Sequence, residues 1–286
     1  MESVEKLEDI AALKENKIIG IPNLLGSKIT FAGTGNILFV SERVNMRNCK
    51  IAFDGFDSVV YLNASKTKKP YMFNIRVSSD CVVFFGKNGS FNPGFSATVG
   101  ECTSLIIGND VMTAVNTTVQ ATDMHMIFSS KTYARINRNQ RGVVIGDHCW
   151  LATQVALLKN TRIGSGSVIG FGSVLSGQTV PSNTIYAGNP AKPVKKDVFW
   201  IRDTPYRFRE NDPNDILAYN NDDFIYAYDT SSTLDIDAFL RSLSPPPAEA
   251  NSDPFGNAQH RLEVLKKLSA NTDKNRFFIP ENPPKG

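Results

Sequence analysis

Between Ile145 and Lys192 the chain repeats every six residues, and this period constrains its fold more than any other feature. Read in register, the first positions of eight successive hexads are Ile145, Leu151, Leu157, Ile163, Ile169, Leu175, Pro181 and Ala187. Six of the eight are Ile or Leu, although those types supply only 39 of 286 residues, so chance would place about one there. Neither a helix, with about 3.6 residues per turn, nor a plain strand, with two, holds such a register; a short strand followed by a corner, repeated, does. The second positions Gly146, Gly164, Gly170 and Gly188 suit corners that need unusual backbone angles or close approach. The fifth positions, Cys149, Val155, Thr161, Ser167, Ser173, Thr179 and Ile185, are mostly small or β-branched. One long and one small inward side chain per hexad is what a narrow interior can hold. The pattern therefore predicts a mainly β solenoid in which each rung bonds to the next and none is stable alone.

The same pattern runs more weakly through Ile107, Thr113 and Val119, with Gly108 and Asn109 at one corner. Further upstream, ITFAGTGNILFV, SVVYLNAS and CVVFFGKNGS are β-like runs with drifting spacing, which reads as irregular coils of the same solenoid. The chain carries 25 Asn against 20 Gly, and both types accept positive φ, as a fold with many tight corners requires. We place the solenoid at residues 23–196, with a loop protruding from it at 126–144.

The 31 Lys and Arg stand against 28 Asp and Glu, a net charge of +3, too balanced for wholesale nucleic-acid binding. With 41% hydrophobic residues the chain can bury a core. No apolar run reaches the roughly 18 to 20 residues of a membrane helix, and the charged opening MESVEKLEDIAALKENK does not build a signal peptide, so a cytoplasmic location is expected. Cys49, Cys81, Cys102 and Cys149 are scattered, without a Cys-x-x-Cys pair, and read as reduced structural thiols; no metal is expected. Gly164-Ser165-Gly166 lies inside the six-residue array and lacks the strand-then-helix context of a dinucleotide site. No Gly-x-Ser-x-Gly elbow exists for a serine hydrolase. The three histidines, His125, His148 and His260, are too far apart in the chain to suggest a tight zinc constellation.

The hexads end in Ala187-Gly188-Asn189-Pro190-Ala191-Lys192 and are preceded by Asp123-Met124-His125 and Ile145-Gly146-Asp147-His148-Cys149-Trp150. This combination, within about residues 105 to 196, resembles the hexapeptide-repeat acyltransferases, most of all the O-acetyltransferases of bacterial surface polysaccharides. The resemblance implies a left-handed parallel β-helix with three hexads per coil, assembled as a homotrimer with active sites between neighbouring subunits. It further implies acetyl-CoA in a groove between coils, its thioester near a catalytic histidine.

Acetyl transfer to a hydroxyl needs a base that works near neutrality, and imidazole supplies one without heavy tuning. His125, where the hexads stop and a loop leaves the body, is the candidate. Asp123, two residues away, either orients that ring or is a solvated turn residue. Trp150 falls at an outward hexad position; it either packs against a neighbouring subunit or, as the resemblance implies, holds the donor. By the same analogy Ala152 offers its backbone amide to the oxyanion. Gly170, Gly172 and Ser173 are small enough for a pantetheine arm to lie against them, and Lys192, Lys195 and Lys196 either meet CoA phosphates or are solvated. Between His125 and Ile145 stand Lys131, Arg135, Arg138 and Arg141 and no acid. Such a loop guides CoA, recognises an anionic polysaccharide acceptor, or is simply solvated. His148 reads as exposed or at an interface, and His260 as structural within an amphipathic helix.

The resemblance thus implies an acetyl-CoA-dependent O-acetyltransferase acting on a bacterial capsule or O-antigen. A small acceptor (amino sugar nucleotide, free sugar, serine or antibiotic) and a non-catalytic β-helical scaffold are the alternatives. At the ends, residues 1–22 read as a helical segment with Leu7, Ile10 and Leu13 on one side. Residues 197–286 read as an extension with an acidic aromatic stretch, a helix opening near Asp235, a linker, a second helix at 257–269 and a Pro-rich tail.

Overall fold

The computed structural model describes residues 1–42, 44–66, 69–100, 102–138, 141–205, 218–245 and 253–281. Part of the acidic aromatic stretch (211–217), the linker core (246–252) and the end of the tail (282–286) lie outside the described residues. From Lys17 to Ala187 the chain forms a parallel β-helix of about seven coils with three faces. Each coil crosses a first face, turns onto a second, and closes on a third. The first and third faces are eight-stranded sheets; the second holds a six-stranded and a two-stranded sheet.

Every long first-position side chain of the hexads from Ile145 to Leu175 is fully buried, and Cys149, Val155, Thr161, Ser167 and Ser173 lie inside with them. Register shows why the period is clear only downstream. Val143 pairs with Thr161 and Ala156 with Val174, a step of 18 residues, or three hexads per coil. Upstream, Val82 pairs with Ser104 and Ser96 with Thr118, a step of 22. A longer coil encloses a wider interior, and larger side chains fill it: Phe31 stacks on Phe53 at 4.8 Å, and Phe85 packs against Tyr71, Phe73, Phe91 and Phe95.

Glycine at the second hexad position answers to proximity. A Cβ on Gly164 would stand 2.6 Å from the Ser182 nitrogen, and one on Gly146 would stand 2.6 Å from that of Ser165. Positive φ falls two places later, on Asp110 (55°), His148 (51°) and Gly166 (77°), where coils turn from the first face to the second. Gly164→Ala is expected to force coils apart and cost about 1–3 kcal/mol, read as a lower urea midpoint; an unchanged midpoint would show that the coils can separate freely there.

The ends depart from expectation. Residues 1–22 are not an α-helical segment: Glu2–Val4 is a strand antiparallel to Lys28–Phe31, Leu7–Ala12 is a 3-10 helix, and Lys17–Ile19 already belongs to the first face. The Asp9 carboxylate accepts from the Glu5 and Lys6 amides, and Glu2 accepts from Lys14, which closes the segment locally. Ile10 and Leu13 do pack on the core, while Leu7 is exposed. At the other end Lys192–Lys195 runs antiparallel to Ile185–Ala187. An added strand at each end blunts a sheet edge that would otherwise invite pairing.

The extension covers the first face. Helix Ile236–Ser242 starts at Asp235, whose carboxylate accepts from the Ala238 amide, and helix Gly256–Ala270 follows. Ala258, Leu262, Leu265, Leu268, Phe277 and Ile279 bury the outward Val59, Tyr61, Val82, Phe84, Ile106 and Val144. Those strands are therefore buried on both sides. Burial of this kind is the main force holding the extension down.

Candidate active site

The loop leaves the corner between the third and first faces, after Thr118–Gln120, and rejoins at Val143–Ile145, so its last two predicted residues belong to a strand. It is hinged on Asn137, which is 8% exposed. The Asn137 amide donates to Asp123 Oδ2 (2.8 Å) and to the His125 carbonyl (2.9 Å), and its oxygen accepts from the Ile127 amide (3.1 Å) and Arg135 Nε (3.0 Å). Beyond it the Ser129 amide donates to the Ala134 carbonyl and the Ile136 amide to that of Ile127, a short hairpin. At the foot, the Arg141 amide donates to Asn160 Oδ1 (2.6 Å).

His125 is exposed, and among the described residues its backbone, not its ring, carries the local bonds. Asp123 does not orient the imidazole here: its carboxylate is held by the Lys159 ammonium and Asn137. Lys159 keeps that carboxyl below the usual carboxylate range, against the small opposing effect of burial, with Asn137 helping. Of the basic set, Lys131 and Arg138 are exposed, Arg135 bonds Asn137, and Arg141 lies 3.6 Å from Asp237. Arg141, Ser104, Asp237 and Arg241 line a cleft of about 310 Å³ between the loop's foot and helix Ile236–Ser242. Asn137 and Lys159 were missed in the sequence; their spacing carries no recognisable signature, since both act through contacts that the coil alone creates.

Trp150 lies on the second face, between Met112 and Val168 of neighbouring coils, half-buried. The loop departs from the corner opposite this face, so the two elements leave different sides of one chain. The residues expected to hold the donor fare unevenly. The Ala152 amide donates to the Ile169 carbonyl (2.9 Å), which removes it as an oxyanion donor. The amides of Gly170 and Gly172 are likewise spent on Tyr186 and Thr153. Ser173 turns its hydroxyl inward, donating to the Gly170 carbonyl (2.7 Å) and accepting from the Gly188 amide (3.0 Å), so it offers a ligand nothing. Gly172 borders open space, and Phe171 beside it is 69% exposed, so this corner keeps room for an elongated ligand. Lys192 and Lys195 are exposed, whereas Lys196 pairs with Glu281 at 2.9 Å.

His148 is not at the surface: it is 2% exposed and bonded at both ring nitrogens. His260 ties the two helices together, its Nε2 2.9 Å from the Ser242 carbonyl. Cys49, Cys81 and Cys149 are buried and Cys102 is exposed, and none of the four forms a disulfide; burial pushes the Cys149 thiol up to about 12 and the Cys49 thiol to about 11, so these two are inert. Among the described residues no group could hold a metal ion, and no helix is long and apolar enough to cross a membrane.

Residues 142–177 match the family described as bacterial transferase hexapeptide (six repeats). The chain is 31% identical over 190 residues to the polysialic acid O-acetyltransferase of Escherichia coli O1:K1 / APEC, covering 59% of this chain and 61% of the relative, so less than two thirds of that protein is spanned. Two crystal structures are similar in fold. The polySia-specific acetyltransferase NeuO matches with a TM-score of 0.59 at 28% identity, over 67% of this chain and 87% of that one. The polysialic acid O-acetyltransferase OatWY matches with a TM-score of 0.56 at 26% identity, over 70% and 98%. Coils of opposite hand do not superpose, so the solenoid shares the left-handed sense of these neighbours.

Proposed function

We propose that the chain, whose residues 142–177 match the bacterial transferase hexapeptide family, is an acetyl-CoA-dependent O-acetyltransferase acting on an anionic bacterial cell-surface polysaccharide. The observation that carries this reading is His125: an exposed imidazole whose ring makes no hydrogen bond among the described residues, at the start of a loop that holds four cations and no acid.

In the proposed reaction neutral His125 accepts the proton of a sugar hydroxyl as its oxygen attacks the thioester carbonyl. The tetrahedral oxyanion collapses, the carbon–sulfur bond breaks, and the imidazolium returns its proton to the CoA thiolate. No acyl-enzyme forms. Since the Ala152 amide is committed to the ladder, the indole N–H of Trp150 is assigned to the oxyanion; among the described residues it has no hydrogen-bond partner. Lys192 and Lys195 are the assigned phosphate contacts, with the open corner at Gly172 as the path of the pantetheine arm.

A homotrimer completes this site. One chain presents His125 and Trp150 on elements that leave different sides of the coil, so a neighbour's loop must reach the second face. The loop's exposed Met126, Ile127, Phe128, Tyr133 and Ile136 supply an apolar surface for that contact. The first face is already covered by the extension, which leaves the other two for assembly.

Thiol release from acetyl-CoA against anionic polymers, neutral polymers and small sugars tests the reading. Release with an anionic polymer alone supports it; release only with a small acceptor moves the chain to the rival class. Replacing Arg135 and Arg138 together by alanine is expected to raise the KM for the polymer about tenfold, as the loss of charge-assisted bonds implies. An unchanged KM would show that the loop does not read the acceptor's charge.

A further inference from the structure

The chain contains two tryptophans, and the fold sets them side by side: the rings of Trp150 and Trp200 lie 5.8 Å apart, tilted by 46°. Trp200 belongs to the segment that follows the last strand, and it is 8% exposed. A clamp built on His148 holds it. The Trp200 indole donates to the His148 carbonyl (2.9 Å), His148 Nε2 donates to the Trp200 carbonyl (2.8 Å), and the two rings stack at 4.3 Å and 10°. Phe224 covers the other imidazole face at 4.1 Å.

The clamp is anchored in turn on the preceding coil. His148 Nδ1 lies 2.7 Å from Asp110 Oδ2, and Arg202 donates to Asp110 Oδ1 (2.9 Å), to its carbonyl (2.8 Å) and to Ser90 Oγ (2.9 Å). Burial pushes the Asp110 carboxyl up, but the bond from His148 and the charges of Arg202 and Lys66 outweigh it and hold the carboxyl below its ordinary range. Trp150 is fixed differently. Nothing hydrogen-bonds its indole among the described residues, so packing alone selects its side-chain angles.

We infer that Trp200, locked by His148, is a positioning residue for Trp150, so that the segment after the terminal Asn189-Pro190-Ala191-Lys192 forms one wall of the active site. This rests on the assignment of Trp150 to the donor site given above. A donor of hydrogen bonds to a developing oxyanion works only if it is aimed before the charge appears. An outward indole flanked by Met112 and Val168 alone would keep several orientations, and the Trp200 ring removes some of them.

His148→Asn is the suitable disruption, because asparagine accepts the positive φ of this corner while losing the ring stack. Two indoles this close couple in circular dichroism. The wild-type couplet should disappear in His148→Asn with the β signal unchanged, and kcat should fall roughly tenfold to a hundredfold, as small misplacements at a reacting centre do, with acceptor KM unmoved. Trp200→Phe, which keeps an aromatic wall, should hold kcat within about threefold of wild type, and Trp200→Ala should match His148→Asn. This pair also decides the matter if His148→Asn does not fold. A couplet that survives His148→Asn, or equal kcat for Trp200→Ala and wild type while Trp150→Phe is impaired, would overturn the inference. Wild-type kcat in Trp150→Phe would instead remove the assignment of Trp150, with the couplet still reporting whether the clamp sets its geometry.

Discussion

His125→Ala is expected to lower turnover by about 10² to 10⁴, the usual loss on removing a general base, while the protein keeps its thermal midpoint and oligomeric state. The second half follows from the geometry. The local bonds at residue 125 are made by its backbone, whose carbonyl accepts from Asn137 and whose amide donates to the Asp123 carbonyl at 2.7 Å. The ring is exposed, so its loss opens no cavity and strands no buried partner. Asn137→Ala is the contrasting case: it leaves the imidazole present and removes the pin on which the loop turns, so activity should fall through disorder of the loop. Thiol release at saturating acetyl-CoA measures both. A wild-type rate in His125→Ala would end its assignment as the base.

Arg276→Ala should give the largest loss of stability, about 3–5 kcal/mol, because it leaves a charge buried without its partner. Arg276 is 1% exposed, and all three guanidinium nitrogens are used. Its Nε and one terminal nitrogen grip the Asp147 carboxylate at 2.8 Å each, while the other donates to the carbonyls of Leu268 (2.9 Å) and Asn271 (2.5 Å). One side chain thus joins a coil corner, the end of the long helix and the tail. The transition most affected is undocking of the extension, and limited proteolysis within residues 253–281 should report it before the coils melt. Replacing Asp147 by asparagine in the same chain should recover part of the loss, since the stranded charge is then gone. A shift below about 1 kcal/mol would show that apolar burial alone holds the extension.

The ease of reading different parts of the chain follows from how local their causes are. The hexads from Ile145 to Leu175 were legible because coils of 18 residues return the same side-chain direction to the same place. Coils of 22 residues obey the same rule with a wider interior, but the extra residues sit at corners of varying length, so the register drifts. Asp235 announced its helix through its own capping bond to Ala238. By contrast, Leu7–Ala12 carried an amphipathic pattern and formed a 3-10 helix, because side chains of Glu2 and Asp9 take up the backbone amides nearby.

At the site, the exposed histidine and the cations of the loop could be named from the sequence, but their partners could not. Asp123 was read beside His125 because two residues separate them, and the fold gave its carboxylate to Lys159 and Asn137 instead. Analogy points to the Ala152 amide, and small size to Gly170 and Ser173, yet the rungs claim those amides and that hydroxyl.

By itself, then, the sequence determined the repeat, the inward residues of the regular coils, the position of the loop and the histidine and cations it carries, because each is encoded in spacing or in residue type. Tertiary structure decided where the extension lies, which groups remain free to react, and that His148 is buried between Trp200 and Phe224. Those outcomes depend on pairs such as Asp147 with Arg276, 129 positions apart, whose attraction exists only after the coil has brought one partner to a corner that the other can cover.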